Sequence, residues 1–155
     1  MTWATDRLND VKAGTANLPP IVETLRMGGL DDWGEGWVRK TWTPSPELRT
    51  GDGSLFGGYL AALADQCLAF AAMTIAPDDR FFRSVNLQVN FLRVGRDHPL
   101  SIEARVVANT HQMITARATF TRPDGRLIAE ATAQQLLIGF AHGPAERAAV
   151  EASRS

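Results

Sequence analysis

The chain has 155 residues, 45% hydrophobic and 21% charged, with a formal net charge of −1, which suits one soluble domain large enough to bury a core. Acids and bases are interspersed, so neither a nucleic-acid face nor an anionic-membrane face is expected. The only cysteine, Cys67, excludes an internal disulfide and a cysteine-rich metal site.

Met1 to Pro20 mixes charge, glycine and two prolines; it has no continuous apolar core of the kind a secretory signal carries. Ile21 to Met27 is expected to form a short helix after Pro19-Pro20, stopped by Gly28-Gly29. Residues 1–34 thus read as an N-terminal extension with a short helix, 35–140 as the main domain, and 141–155 as a partly disordered Ala/Glu/Arg/Ser-rich tail. Trp33 to Thr43, rich in Trp, Val and Thr, reads as a first strand. A loop punctuated by Pro, Gly and Asp follows to Ser54, and a long Ala/Leu-rich helix runs from about Gly57 to Ile75. This longest apolar run is interrupted by Asp65-Gln66 and falls short of a bilayer span, so a cytoplasmic protein is expected.

Beyond Pro77 the period changes from 3.6 to 2. Val85, Leu87, Val89 and Phe91 alternate with Ser84, Asn86, Gln88 and Asn90, predicting a half-buried strand. Ser101 to Ala108 and Met113 to Phe120 alternate in the same way. Arg122-Pro123-Asp124-Gly125 is a turn, and Leu127 to Ile138 a last strand whose Ala129, Ala131 and Ala133 let a helix approach closely. Four consecutive strands on short connections predict an antiparallel meander curled round the helix, α+β in class. Its unpaired edges and residual apolar face predict a homo-oligomer.

Asp65 is the most informative residue, one carboxylate within an apolar helix that reads as buried. A buried charge costs free energy unless it is paired or neutralised, so an isolated one calls for explanation. Phe56-Gly57-Gly58 opens the same helix, and glycines there let a ligand reach backbone N–H groups at the positive helix end. Asp65 lies seven residues beyond Gly58, ~10 Å along the axis. That is too far for both to touch one carbonyl carbon within a subunit, so a site shared between two chains is expected.

The Gly57-Gly58 helix start, Leu63-Ala64-Asp65, and the strand Ser84-Val85-Asn86-Leu87-Gln88-Val89-Asn90-Phe91-Leu92-Arg93 together resemble hotdog-fold acyl-CoA thioesterases. The PaaI-like phenylacetate-pathway type is the nearest group, and the likeness spans about residues 35–140. The resemblance implies a long helix wrapped by a five- or six-stranded antiparallel sheet. It also implies homodimers or homotetramers with active sites at the subunit interface, acyl-CoA as substrate, and no cofactor beyond the coenzyme A of that substrate. By position it makes Asp65 the catalytic nucleophile or general base, Gly57 or Gly58 the oxyanion donor, and Ser84 a hydroxyl beside the attacking water. Phe56 stands where the family usually has His.

Phe56, Tyr59, Leu60 and Phe91 offer an aliphatic and aromatic lining suited to a medium-chain or aryl acyl group. Arg83, Arg93 or Arg96 is expected to meet the coenzyme A phosphates, with Asn86 completing the substrate-binding set. Cys67, ~200° round the helix from Asp65, reads as a small buried apolar group. His98, His111 and His142 share no metal spacing and read as surface residues, while Trp3, Trp33, Trp37 and Trp42 read as packing. A non-catalytic acyl-CoA-binding protein is the alternative. A hydratase or dehydratase fits less well, because such enzymes place a His in or near the helix and this helix has none.

Overall fold

The structure is a computed structural model that describes residues 1–140 together with Ala152. The expected tail, apart from that position, and His142 lie outside the described residues.

The first element is one the sequence reading omits. Helix α1 spans Trp3–Ala13, closed at its start by a capping box between Thr2 and Thr5 and at its end by Gly14 in the left-handed region, φ 71°. The signal was present: Trp3, Ala4, Leu8 and Val11 fall on one stripe, and all four are buried. Helix α2 is shorter than expected, Pro20–Thr24, with Pro20 in its first turn. The single expected strand from Trp33 to Thr43 is a hairpin, β1 (Asp32–Gly34) and β2 (Trp37–Trp42), turned through Gly36 at φ 78°.

Helix α3, Gly57–Met73, is the expected long helix. Strands β3 (Arg80–Phe91), β4 (Leu100–Asn109), β5 (Met113–Thr121) and β6 (Leu127–Gly139) follow. All six strands form one antiparallel sheet in the order β1-β2-β4-β5-β6-β3. The meander expectation holds for β4-β5-β6 and fails for β3, which pairs with β6 rather than with its chain neighbour β4. The physical reason is the connection. Residues 92–99 reach ~26 Å when extended, more than the ~14 Å width of three strand spacings. The edge of β4 that β3 would have needed is taken by β2.

The sheet curls round α3. Ala104, Ala116, Ala118, Ala129, Ala131 and Ala133 are buried with Leu63, Ala64, Cys67 and Leu68 of the helix, so small residues on the strands admit the helix closely, as expected. The turn after β5 also forms as expected, with Gly125 at φ 82° and its N–H donating to Arg122 O at 2.9 Å.

Strand β3 departs from the half-buried expectation. It is a sheet edge, and residues 83–92 are exposed apart from the half-buried Val89. Val85, Leu87, Phe91 and Leu92 are 53%, 37%, 56% and 46% exposed. Alternation in the sequence signals an apolar face, but nothing among the described residues covers it.

Candidate active site

Asp65 is exposed, which corrects the expectation of a buried acid. The sheet covers only part of α3. The strip carrying Gly58, Ala61, Ala62, Asp65 and Ala69 stays partly or fully open beside the β3 edge. An apolar composition all round the helix therefore does not mean burial all round it.

The Ser84 hydroxyl on β3 donates to Asp65 Oδ1 at 2.9 Å, and Asp65 makes no ion pair among the described residues. A β-bulge sets this contact. Ser84 pairs with Gln135 and Asn86 with Gln134, so Val85 is the extra residue. Simple alternation would put Ser84 on the face opposite Leu87, Val89 and Phe91. The bulge turns it onto their face, toward the helix. Asn86 accordingly faces away from α3 and is not gathered with Asp65.

The second partner of Ser84 is Gln135, which the sequence reading missed. Ser84 Oγ lies 2.9 Å from the Gln135 Oε1 position, and Gln135 is fully buried with its other terminal atom unpartnered. A hydroxyl has one proton and cannot serve two acceptors. An amide oxygen and nitrogen exchange places by a half-turn. The chain Gln135 Nε2–H to Ser84 Oγ, then Ser84 O–H to Asp65 Oδ1, uses each proton once. The sequence signal was a glutamine on the inward, alanine-rich face of β6.

Gly57 and Gly58 open α3 with no side-chain cap on the helix start, leaving their N–H groups outside the intrahelical ladder. Both positions are crowded. A Cβ on Gly57 would lie 3.0 Å from Phe91 Cζ, and one on Gly58 2.7 Å from Phe56 Cε1. The helix start and Asp65 sit at separate places along α3, as the spacing required.

Among the described residues, cavities lie along α3, and the expected acyl lining is divided between two of them. Phe56 and Tyr59 border a cavity of about 430 Å³ with Leu25, Leu48 and Arg49. Leu60, Phe91 and Arg93 border another of about 390 Å³ with Gly57. Tyr59 is buried, donates its hydroxyl to Leu25 O, and has its phenol pushed upward by that burial. Arg93 donates to Leu127 O at 2.8 Å, and Arg96 to Asp52 O at 3.0 Å. Arg83 lies over the Phe81 ring at 4.4 Å, beside a third cavity of about 530 Å³. The arginines are therefore not gathered at one point.

Cys67 is buried, as expected, and burial pushes its thiol up to about 12. Lys40, unremarked in the sequence, is buried beneath α3. Its ammonium donates to Met27 O and to Gln66 Oε1 at 2.9 Å, with no carboxylate in ion-pair contact among the described residues, and desolvation lowers its pKa. His98 and His111 are exposed, while Trp3 and Trp42 are buried. No helix of the described residues is long and apolar enough to cross a membrane.

The family model described as Thioesterase superfamily matches residues 52–129, half of the chain. A phenylacetic acid degradation-related protein from Ralstonia eutropha JMP134 is 23% identical, covers 84% of this chain and 98% of its own, and superposes with a TM-score of 0.74. A thioesterase family protein from Silicibacter pomeroyi is 24% identical over 88% and 98%, also at 0.74. A hypothetical thioesterase from Streptococcus pneumoniae TIGR4, solved with coenzyme A, is 22% identical over 71% and 87%, at 0.65. No curated protein matches the chain. The six-stranded antiparallel sheet wrapped on a long central helix is the fold these solved structures share with it. The chain belongs to the thioesterase superfamily and carries its hotdog fold.

Proposed function

We propose that the protein hydrolyses acyl-CoA thioesters at a site built by two copies of the chain, Asp65 and Ser84 from one and Gly57 and Gly58 from the other. The observation that carries this reading is the Asp65–Ser84 hydrogen bond at the unpaired β3 edge. An exposed apolar edge strand is a template for pairing with a second chain. The exposed stretch 83–92 is centred between Leu87 and Gln88. An antiparallel pair about Gln88, beside that centre, sets Leu87 of one copy opposite Val89 of the other on the helix-facing side and brings Ser84 within one residue of the partner's Phe91, which is the residue packed against Gly57.

In such a site the thioester carbonyl oxygen points at the free N–H groups of the helix start, which stabilise negative charge. Asp65 Oδ1 is held by Ser84, leaving the second carboxylate oxygen to act. Acting as base, it takes a proton from water while the water oxygen bonds to the carbonyl carbon; the tetrahedral intermediate then collapses and the coenzyme A thiolate leaves with that proton. Acting as nucleophile, it bonds to the carbonyl carbon as the C–S bond breaks and coenzyme A leaves as thiolate; water then opens the mixed anhydride, returning the Asp65 carboxylate and the free acid, with the released proton taken up by the thiolate. Both routes end in free acid and coenzyme A with no metal or redox step. The neighbour solved with coenzyme A supports this substrate class.

Thiol release from a panel of acyl-CoAs tests the reading. Wild type is expected to turn over at least one, and Asp65→Asn at least a hundredfold more slowly. Equal rates remove Asp65 from the mechanism. The competing reading, acyl-CoA binding without catalysis, draws on Phe56 where the family usually has His. It predicts calorimetric binding with no thiol release.

A further inference from the structure

We propose that the acyl group is held in the cavity of about 530 Å³ between α1, α2 and the second half of α3, beneath the N-terminal segment that precedes the matched residues 52–129. The proposal rests on the thioesterase reading above and adds the place and chemical class of the acyl moiety, an apolar chain of medium length.

Adjacency is the first argument. Ala69 on the cavity wall is one helical turn from Asp65, on the same face, where side chains are ~5–6 Å apart. Phe82, also on the wall, is two residues before Ser84 and on the same face of β3. The Asp65–Ser84 pair therefore stands at one end of the α3–β3 groove, and the cavity opens along that groove one step further. The cavity of about 430 Å³ also comes within a turn of Asp65, at Ala62, but takes no wall from β3, and that of about 390 Å³ flanks the helix start, so neither borders both Asp65 and the Ser84 strand in this way.

Chemistry is the second. Trp3, Val11, Val22, Phe70 and Met73 give the walls a largely apolar surface, and the volume falls within the usual range for ligand pockets. The polar groups at its margin are engaged within the protein. Gln66 donates to Gly28 O at 2.7 Å and accepts from Lys40. Arg7 donates to Asn17 O at 2.6 Å, and Arg83 rests on Phe81. The walls themselves are hydrocarbon, with the cations only at the margin, so an apolar chain is what gains from entering. The wall runs from Gln66 to Met73, ~10 Å of helix, which sets the length accommodated.

The test uses the full chain with straight acyl-CoAs from two to twelve carbons and phenylacetyl-CoA. Calorimetry with S-alkyl-CoA thioethers of the same lengths, which cannot be hydrolysed, runs in parallel. In wild type kcat/KM and thioether affinity are expected to rise about fourfold per methylene until the cavity is full. Ala69→Phe, whose ring enters the cavity, is expected to lower the decanoyl-to-acetyl ratio at least tenfold, and Phe70→Ala to extend the preferred length. Hydrolysis with the same length profile in all three proteins overturns the pocket and leaves the thioesterase reading standing. Length-dependent thioether binding that Ala69→Phe abolishes, without hydrolysis of any thioester, supports the pocket and overturns the thioesterase reading. Thioether affinity that ignores chain length in wild type overturns the pocket.

Discussion

Replacing Ser84 by alanine removes one oxygen that touches two groups of very different surroundings. Toward Asp65 the lost bond is at the surface and contributes about 0.5–1 kcal/mol. Toward Gln135 the loss is larger, because that carboxamide is fully buried and Ser84 is the partner of one of its two polar ends while the other end already has none. Leaving it wholly unsatisfied adds about 1–3 kcal/mol, giving a total near ~2 kcal/mol. For a chain of this size each kcal/mol lowers Tm by about 3 °C, so a drop of about 6 °C is expected in differential scanning calorimetry at fixed protein concentration. Asp65→Asn is the control. Its amide oxygen still accepts from Ser84 and the Gln135 bond is untouched, so Tm is expected within about 2 °C of wild type while hydrolysis falls. Ser84→Thr keeps the hydroxyl on a strand that tolerates β-branching and is expected to restore most of both. A Ser84→Ala protein melting within about 1 °C of wild type refutes the reasoning, since the Gln135–Ser84–Asp65 chain would then hold nothing.

Leu87→Lys sets like charges near the centre of the proposed β3 pair and is expected to shift sedimentation toward monomer and lower hydrolysis at least tenfold. Lys40 offers a pH test. Burial lowers its pKa, so from that lowered value up to 10.5 the unfolded state binds the extra proton and stability rises with pH. Cys67 and Tyr59 act in the opposite sense, because their raised values make alkaline pH destabilising. The difference in Tm between wild type and Lys40→Met isolates the lysine and is expected to grow in favour of wild type from pH 7 to 10. Glu47, held at about 2 chiefly by the Ser45 hydroxyl, is expected to titrate nearer 4.5 in Ser45→Ala by carboxyl NMR.

The parts of this molecule that a periodic pattern encodes were readable. Alternation located β4, β5 and β6, the alanines of β6 announced close helix packing, and Arg122 to Gly125 announced its own turn. Asp65 was readable as an anomaly, but its burial was not, because composition reports how apolar a helix is and not how far a sheet wraps it. Ser84 was found with the wrong face, since a one-residue bulge reverses side-chain parity and leaves no mark in the alternation. The β3–β6 pairing is likewise a choice between edges that local sequence does not express. Gln135 escaped notice because a lone glutamine in a strand is ordinary until its surroundings are known.

The geometry also fixes what a shared site must do in mixtures. Within one chain Gly57 and Asp65 are eight residues apart, ~12 Å along α3. Across an antiparallel β3 pair about Gln88, Ser84 lies one residue along from the position opposite the partner's Phe91, which brings Asp65 of one copy toward Gly57 of the other. Asp65→Asn and Gly57→Ala each damage one half of every site in a homodimer. The Cβ of the latter lands 3.0 Å from Phe91 Cζ, a ring that is 56% exposed and free to move aside, so the fold survives while the approach to the helix start is crowded. Mixing the two variants in equal amounts and allowing exchange makes half the dimers mixed, and each mixed dimer has one intact site out of two. Recovery of about a quarter of wild-type activity from two nearly inactive proteins is expected by random assortment. A site contained within one chain gives no recovery at any mixing ratio, and that result would return both halves of the chemistry to a single subunit.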